Sequence, residues 1–193
     1  MFNKQEWYNN TYNLSFLMCN VKRMRLISPS TIWQKEFILF ARQFQKEKKF
    51  SYYQGAIDNF DLYVAQLKNE ENNIDLTFSP TPCSHYWLIN NNNEIIGVTR
   101  IRHHVTTANI SHDQGHIAYD ISPQFRKKGL GIKILQLALK KAKQLSLKKV
   151  IVATDLFNIA SRKIIEKNQG IPSEIKDSYY YSNTIIKYTI NIK

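Results

Sequence analysis

A strand, a glycine-containing basic turn and an amphipathic helix follow one another over residues 115–145. Apolar and polar residues alternate over 116–122, which predicts a half-buried strand. Apolar residues recur at helical spacing from Leu135 to Leu145, which predicts a helix with one buried face. The turn between them reads RKKGLG over residues 126–131. We expect the rest of the chain to be organised around this unit.

The position of this turn gives it the properties of an anion-binding site. The first N–H groups of a helix lack partners within the helix, and the helix dipole adds partial positive charge there. Glycine at positions 129 and 131 lets the backbone approach a bulky anion and adopt positive φ at little steric cost. Arg126, Lys127 and Lys128 add full charges. The sequence therefore predicts a phosphate or pyrophosphate ligand.

The phosphate-binding motifs differ in how well they fit this stretch. A dinucleotide-binding G-x-G-x-x-G motif requires a third glycine where Ile134 stands, and no segment fits the G-x-x-x-x-G-K-[ST] of a P-loop. The turn resembles instead the R/Q-x-x-G-x-G/A pyrophosphate loop of the GNAT superfamily of N-acetyltransferases. Arg126, Gly129 and Gly131 stand at its three defining positions.

The flanking residues carry the same resemblance. An apolar strand at 150–153 follows the helix, and Asn158 and Ser161 then open a second helix that ends near Gly170. Four further segments are similar to a subgroup of predicted acetyltransferases in this superfamily: YWL (86–88), IRH (101–103), GHI (115–117) and IIEKN (164–168). The resemblance covers about residues 84–171.

The resemblance implies acetyl-CoA as the cofactor. In the superfamily, the asparagine after the fifth strand contacts the pantetheine or phosphate region, which places Asn158 at the cofactor; a simple N-cap is the alternative. A bulge in the fourth strand presents backbone N–H groups to the thioester, a part that residues 119–122 fill here. The implied cofactor-binding residues are Ile121, Ser122, Arg126, Lys127, Lys128, Gly129, Leu130, Gly131, Ile132, Asn158 and Ser161.

Acetyl transfer to an amine needs a base, stabilisation of the oxyanion and a proton for the departing thiolate. His116 is our preferred base, because it lies early in the fourth strand and its imidazole titrates near neutral pH. His103, His104 and Tyr119 are alternatives, and a purely structural role remains open for each. Ile165 stands where many relatives have the tyrosine that protonates the thiolate, so the usual general acid is absent.

The acceptor implied by the resemblance is a primary amine, on a small molecule or a protein, that attacks acetyl-CoA directly in a ternary complex. In relatives, the first helices and the loop between them wall the acceptor site. Phe50, Tyr52 and Tyr53 are therefore predicted either as pocket lining or as ordinary core. The alternative function is a non-catalytic acyl-CoA-binding or nucleic-acid-binding protein that retains the fold.

Composition restricts the partners. The net charge is +12, but the lysines are scattered, so nucleic acid is not the expected partner. Cys19 and Cys83 show neither metal-ligand spacing nor a disulfide framework, so no metal is predicted and a reducing cytoplasm is expected. No apolar run is long enough to span a membrane. A homodimer remains open.

One domain is predicted over residues 24–193, preceded by an N-terminal extension over residues 1–23. The expected fold is α/β (α+β): a GNAT-like mixed, mostly antiparallel central sheet of about six to seven strands flanked by about four helices. The predicted strands are 24–27, 86–89, 95–103, 116–122, 150–153 and 184–190, with 179–181 as a further candidate. The predicted helices are 30–44, 59–69, 130–145 and 158–168.

Overall fold

The computed structural model describes residues 24–45, 47, 52–74, 81–105, 112–179 and 182–192. The predictions for residues 1–23, Phe50 and residues 180–181 lie outside this part of the chain. The elements follow in the order β1 (Arg25–Ile27), α1 (Gln34–Arg42), α2 (Gln54–Asp58), α3 (Phe60–Glu71), β2 (Cys83–Ile89), β3 (Ile95–Arg102), β4 (Ile117–Ile121), α4 (Leu130–Gln144), β5 (Lys149–Asp155), α5 (Ile159–Lys167), β6 (Ile171–Asp177) and β7 (Thr184–Asn191). None of the helices in these ranges has the length and apolar character of a membrane span.

The strands form two antiparallel sheets. The first has the order β1-β2-β3-β4, and the second has the order β5-β7-β6. The crossover from β4 to β5 runs through α4. The predicted mixed fold with mostly antiparallel strands is confirmed, with the difference that the sheet is divided between β4 and β5.

The first sheet packs one face against α1, α2 and α3. The ring of Trp87 in β2 is buried, with its centroid 4.5 Å from that of Phe37 in α1. The core between them is rich in aromatic side chains: Phe37, Phe40, Phe44, Tyr53, Phe60 and Trp87. Tyr53 is buried in this cluster whereas Tyr52 is 65 % exposed, so the two neighbouring tyrosines have different surroundings.

Helices α4 and α5 belong to a second core. The apolar positions predicted for α4, Leu135, Ala138 and Ala142, are fully buried in a cluster with residues of β5 and β7. Ile165 of α5 lies in the same cluster with no exposed surface. Residues of β4 also pack here, so α4 holds β4 in place at the strand end from which the basic turn begins.

Two elements differ from the predictions. The sequence predicts a loop at Gln54 and Gly55, whereas these residues begin α2, which buries Ala56 in the aromatic core. β6 has no counterpart among the predicted strands, because it lies at a sheet edge with mostly exposed residues and therefore lacks apolar alternation. Tyr179 lies beyond β6 in a bend rather than in a strand.

Candidate functional site

The two sheets meet at His116 and Ile151. The His116 backbone N–H donates to the Ile151 carbonyl at 2.7 Å, and the Ile151 N–H donates to His116 Nδ1 at 3.0 Å. Gly115 lies so close to β5 that a Cβ atom there would stand 2.3 Å from the Ile151 carbonyl oxygen, which only glycine avoids. We call this contact the junction.

Beyond the junction, one edge of β4 pairs with no other strand in the described part of the chain, and we call it the free edge. Ser122 N donates to Ile96 O at 3.0 Å. In an antiparallel pair, successive residues direct their N–H and C=O groups alternately toward and away from the neighbouring strand. The peptide groups of Asp120 therefore point toward β3, and those of Tyr119 and Ile121 point away from it. Unpaired N–H and C=O groups of a strand edge can bind another extended amide chain. The register of β4 on β3 is uninterrupted, so the bulge that the resemblance implies is absent from this strand.

The basic turn, residues 126–131, runs into the N-terminus of α4. Lys127 and Gly129 have positive φ values of 60° and 76°, and Gly129 is the N-cap residue of α4. No side chain among the described residues caps the helix. The N–H groups of Ile132 and Lys133 bond to the Gly129 carbonyl, so those of Leu130 and Gly131 are the ones that the helix leaves for a ligand. The turn therefore has the geometry of an anion site.

Gly131 has a packing role in addition to any role at the ligand. A Cβ atom there would lie 2.4 Å from Ile164 Cδ1, so the glycine permits close contact between α4 and α5. Asn168 strengthens the same contact, because its Nδ2 donates to the Ile164 carbonyl at 2.8 Å and to the Ile132 carbonyl at 3.4 Å. The start of α4 is thus fixed against α5.

Arg126 connects the turn to the segment after α1. Its Nη1 and Nη2 donate to the two carboxylate oxygens of Glu47 at 2.6 and 2.9 Å, and its Nε donates to the Ile121 carbonyl at 3.1 Å. The guanidinium also lies 5.7 Å from the centroid of the Phe44 ring. The hydrogen bond to Glu47 raises the pKa of Arg126. Arg126 thus holds an acidic side chain at the place predicted for phosphate.

Asn158 caps α5. Its Oδ1 accepts the Ser161 N–H at 3.0 Å, and its side chain is exposed. The N-cap alternative is therefore realised in the structure. Because Oδ1 accepts this bond, the Nδ2 donors remain available to a ligand, and no other described residue bonds to them. A cofactor contact by Asn158 stays a prediction.

The side chains of Tyr119 and Asp120 lie on opposite faces of β4. The Tyr119 side chain packs with the second core, and its hydroxyl is buried without a hydrogen-bond partner among the described residues. Burial raises the pKa of Tyr119 to about 12, against the effect of nearby Ser161. Asp120 faces the aromatic core and accepts the Tyr53 hydroxyl at 3.3 Å. Burial and then the Asp120 charge raise the pKa of Tyr53.

The two histidines predicted as bases lie at the junction end of β3 and β4. Burial lowers the pKa of His116, and the positive charge of Arg102 adds to this effect. His103 lies beyond the end of β3, where its Nε2 bonds to Ser84 Oγ at 2.9 Å and burial lowers its pKa. Ser122 is buried at the other end of β4, and its Oγ donates to Gln43 Oε1.

The sequence does not single out Asp120 or Glu47 as site residues. Asp120 lies between two apolar positions of a predicted strand, and a carboxylate at such a position is the signal that could have identified it. Glu47 lies 79 residues before its partner Arg126, a separation at which the sequence gives no signal of contact.

The sequence profile of the family described as "Acetyltransferase (GNAT) family" matches residues 42–171. This range includes the junction, the free edge of β4 and the basic turn. No curated protein sequence matches the chain.

Solved structures share the fold. A ribosomal L7/L12 alpha-N-protein acetyltransferase in complex with coenzyme A has a TM-score of 0.64 at 14% identity, over 89% of this chain and 95% of that chain. The microcin C7 self-immunity acetyltransferase in complex with acetyl-CoA and AMP has a TM-score of 0.63 at 12% identity, over 89% and 93%. A spermidine N-acetyltransferase chimera that includes the Vibrio cholerae protein has a TM-score of 0.61 at 11% identity, over 88% and 96%.

Proposed function

The chain belongs to the GNAT family of acetyltransferases, and on this premise we propose that it transfers the acetyl group of acetyl-CoA to a primary amine by direct attack in a ternary complex. The supporting observation is one arrangement: a free edge of β4 that leads into a basic turn at the N-terminus of α4. The turn suits the pyrophosphate, and the edge suits the amide groups of pantetheine.

The reaction balances without a covalent enzyme intermediate. The neutral amine forms a bond to the thioester carbon, the tetrahedral oxyanion collapses, and the carbon–sulfur bond breaks. One proton leaves the amine and another reaches the coenzyme A thiolate. The peptide N–H groups of Tyr119 and Ile121 are the proposed donors to the oxyanion, because they face away from β3 toward the cofactor edge.

The proposed base remains His116, with His103 as an alternative. To accept a proton at Nδ1, His116 must release the N–H of Ile151, and this requirement disfavours a direct role. Asp120 is a further candidate, since its carboxylate faces the helices that are predicted to wall the acceptor site. Tyr119 is the proposed acid in place of the missing tyrosine at Ile165, because its buried hydroxyl stays protonated at neutral pH.

The acceptor is proposed to be a cationic primary amine on a small molecule or a protein. Asp120 supplies a negative charge on the acceptor face, and it can hold an ammonium group before the proton is lost. A ribosomal protein and spermidine are named for two proteins that share the fold, so peptide N-termini and polyamines belong in a first substrate panel.

The test is a panel of amines incubated with acetyl-CoA, in which release of free thiol is measured. Peptides with free N-termini, lysine, polyamines, amino acids and amine-bearing antibiotics make up the panel. At least one amine should accelerate thiol release, and Asp120→Asn should lower that acceleration while calorimetry shows unchanged binding of coenzyme A. Binding of coenzyme A without acceleration by any amine would favour the non-catalytic alternative.

We also propose that the protein works in the cytoplasm. The support is the sequence, whose two isolated cysteines suggest no disulfide framework, as in proteins of a reducing compartment. Cell fractionation with an antibody against the chain tests this location. The proposed homodimer is tested by analytical ultracentrifugation of the purified protein.

A further inference from the structure

A second group of reactive side chains lies between α3 and β2, and acetyl transfer does not use it. Glu70 is in the last turn of α3, and Cys83 and His85 occupy alternate positions of β2. Alternate residues of a strand share a face, so both β2 side chains meet α3. One ligand atom of each residue lies within 4.8 Å of the other two, and His85 Nε2 lies 2.7 Å from Glu70 Oε2.

The group is enclosed by the fold. Cys83 is 1 % exposed and Glu70 is 7 % exposed. A glutamate is rarely buried without a partner, whereas a buried cysteine is common. His85 is the partner of Glu70, and the Cys83 sulfur lies within 4.8 Å of the ligand atoms of both. The sequence predicts no metal site here, since Cys83 has no neighbouring cysteine and Glu70 comes from a different element.

Thiolate, imidazole and carboxylate are the ligands of zinc. Zinc binds these three atom types in tetrahedral sites, whereas Ca²⁺ and Mg²⁺ prefer oxygen ligands alone. A divalent ion bound by one thiolate and one carboxylate also brings the buried charge of the ligand set to zero. We propose that Glu70, Cys83 and His85 form a Zn²⁺ site with three protein ligands.

Two arginines of β3 lie next to this site. Arg102 is opposite Cys83 in the strand register, and Arg100 is opposite His85. Arg102 is buried, and it donates to the carbonyl of Gly115 and to Gln114 Oε1. Its positive charge opposes a cation, but it also stabilises the thiolate that binds the metal. We therefore expect weaker zinc binding than in a site with four protein ligands.

The full chain without an affinity tag is the protein to test. It is incubated with zinc under reducing conditions, desalted and analysed for metal by mass spectrometry. The expected result is about one zinc per chain, together with a rise in melting temperature on zinc addition. Metal content near zero, with no shift in melting temperature, would overturn the proposal without bearing on acetyl transfer.

Replacing zinc by cobalt tests whether the Cys83 thiolate is a metal ligand. Co²⁺ in place of zinc should give a thiolate-to-cobalt charge-transfer band in the wild type, and Cys83→Ser should lose it. Cys19→Ser is the matched control and should keep both the band and the metal. If Cys83→Ser binds cobalt with an unchanged band, the assignment is wrong. If that variant fails to fold, the metal content and cobalt spectrum of Cys19→Ser, in which Cys83 is the one cysteine, decide instead.

Discussion

His116 Nδ1 accepts the backbone N–H of Ile151 at 3.0 Å, while the His116 N–H donates to the Ile151 carbonyl at 2.7 Å. One residue therefore closes the junction between the sheets with both its main chain and its side chain. Because Nδ1 is an acceptor, the neutral ring carries its proton on Nε2. The free edge of β4 begins directly after this contact.

His116→Ala should change both stability and turnover. The substitution leaves the Ile151 N–H without its partner, which should cost about 1–3 kcal/mol of unfolding free energy. If His116 is also the base, turnover should fall about 10²–10⁴-fold while acetyl-CoA binding is preserved. Thermal unfolding and thiol release measure the two effects, with the exposed Lys148→Ala as the control. A variant as stable and as active as the wild type would contradict both roles.

The sign of the pH effect follows from the lowered pKa of His116. In the unfolded chain the imidazole titrates near about 6.5, and in the fold it resists protonation. Its contribution to stability is therefore present above about pH 6.5 and is lost as pH falls through the lower folded pKa. We expect the stability difference between wild type and His116→Ala to shrink in acid. A difference that grows as pH falls would show that the ring is charged in the fold.

Tyr119→Phe should lower turnover without lowering stability. Its buried hydroxyl has no partner in the described part of the chain, so removing the hydroxyl should leave stability unchanged or raise it. Turnover should fall about 10²-fold or more if this hydroxyl protonates the thiolate. Tyr188→Phe is the control, because the Tyr188 hydroxyl donates to Glu166 and its loss should lower stability. Full activity of Tyr119→Phe would exclude Tyr119 as the acid.

Glycine at 129 should be required for coenzyme A. Its φ of 76° is unfavourable for a β-branched residue, so Gly129→Val should weaken binding more than about ten-fold. Gly55→Val is the control, because that position has open space and no positive φ. Isothermal titration with coenzyme A gives the affinity. Unchanged affinity of Gly129→Val would refute the assignment of the turn.

The role of Gly131 requires a paired design, because its Cβ would meet Ile164. Gly131→Ala alone tests packing and ligand approach together. Adding Ile164→Val makes room for the new methyl group. If the affinity for coenzyme A stays low in the double variant, the methyl group obstructs the ligand itself. Affinity that recovers would assign Gly131 to helix packing.

Asn158→Ala should lose about 1 kcal/mol of stability through the helix cap, and it should also weaken coenzyme A binding. Asn59→Ala supplies the comparison, since Asn59 caps α3 by accepting the Leu62 N–H at 3.0 Å and lies outside the proposed cofactor site. The two variants should show similar stability losses by chemical denaturation. Equal coenzyme A affinities of Asn158→Ala and Asn59→Ala would show that Asn158 acts only as a helix cap.

Local patterns predicted the parts of the fold that depend on contiguous residues. The spacing of Leu135, Ala138 and Ala142 predicted α4, and alternation predicted β4. α2 was not predicted, because five residues carry too little periodicity and burial of Ala56 in the aromatic core stabilises the helix. The basic turn was predicted because its glycines and its charges are adjacent in sequence.

Contacts between distant residues could not be predicted from these patterns. Asp120 meets Tyr53 across 67 residues, and His116 meets Ile151 across 35. Each pair depends on how helices and strands pack, and neither partner has an unusual neighbour in the sequence. Whether His116 and Tyr119 act in catalysis depends on their surroundings in the fold, so both roles stay predictions until the variants are measured.

Glu47→Gln should strengthen coenzyme A binding. The Glu47 carboxylate occupies the Arg126 guanidinium, and an exposed ion pair contributes about 0–1 kcal/mol, so its loss should improve affinity by up to about five-fold. Asp61→Asn, which removes an exposed charge from α3, is the control for net charge. Weaker binding by Glu47→Gln would mean that Glu47 supports the bound state.

Because Glu47 pairs with Arg126, a carboxylate of the protein itself competes with any anion that binds at the basic turn. An incoming anion gains only the difference between its attraction to Arg126 and that of a carboxylate already in place. A metabolite with one negative charge gains almost nothing from this exchange, whereas a pyrophosphate brings several charges and also meets the helix N-terminus. The internal carboxylate would thus lower the affinity of any anion at the turn by up to about five-fold, and the contacts that offset this loss are ones that a pyrophosphate makes and a simple carboxylic acid does not.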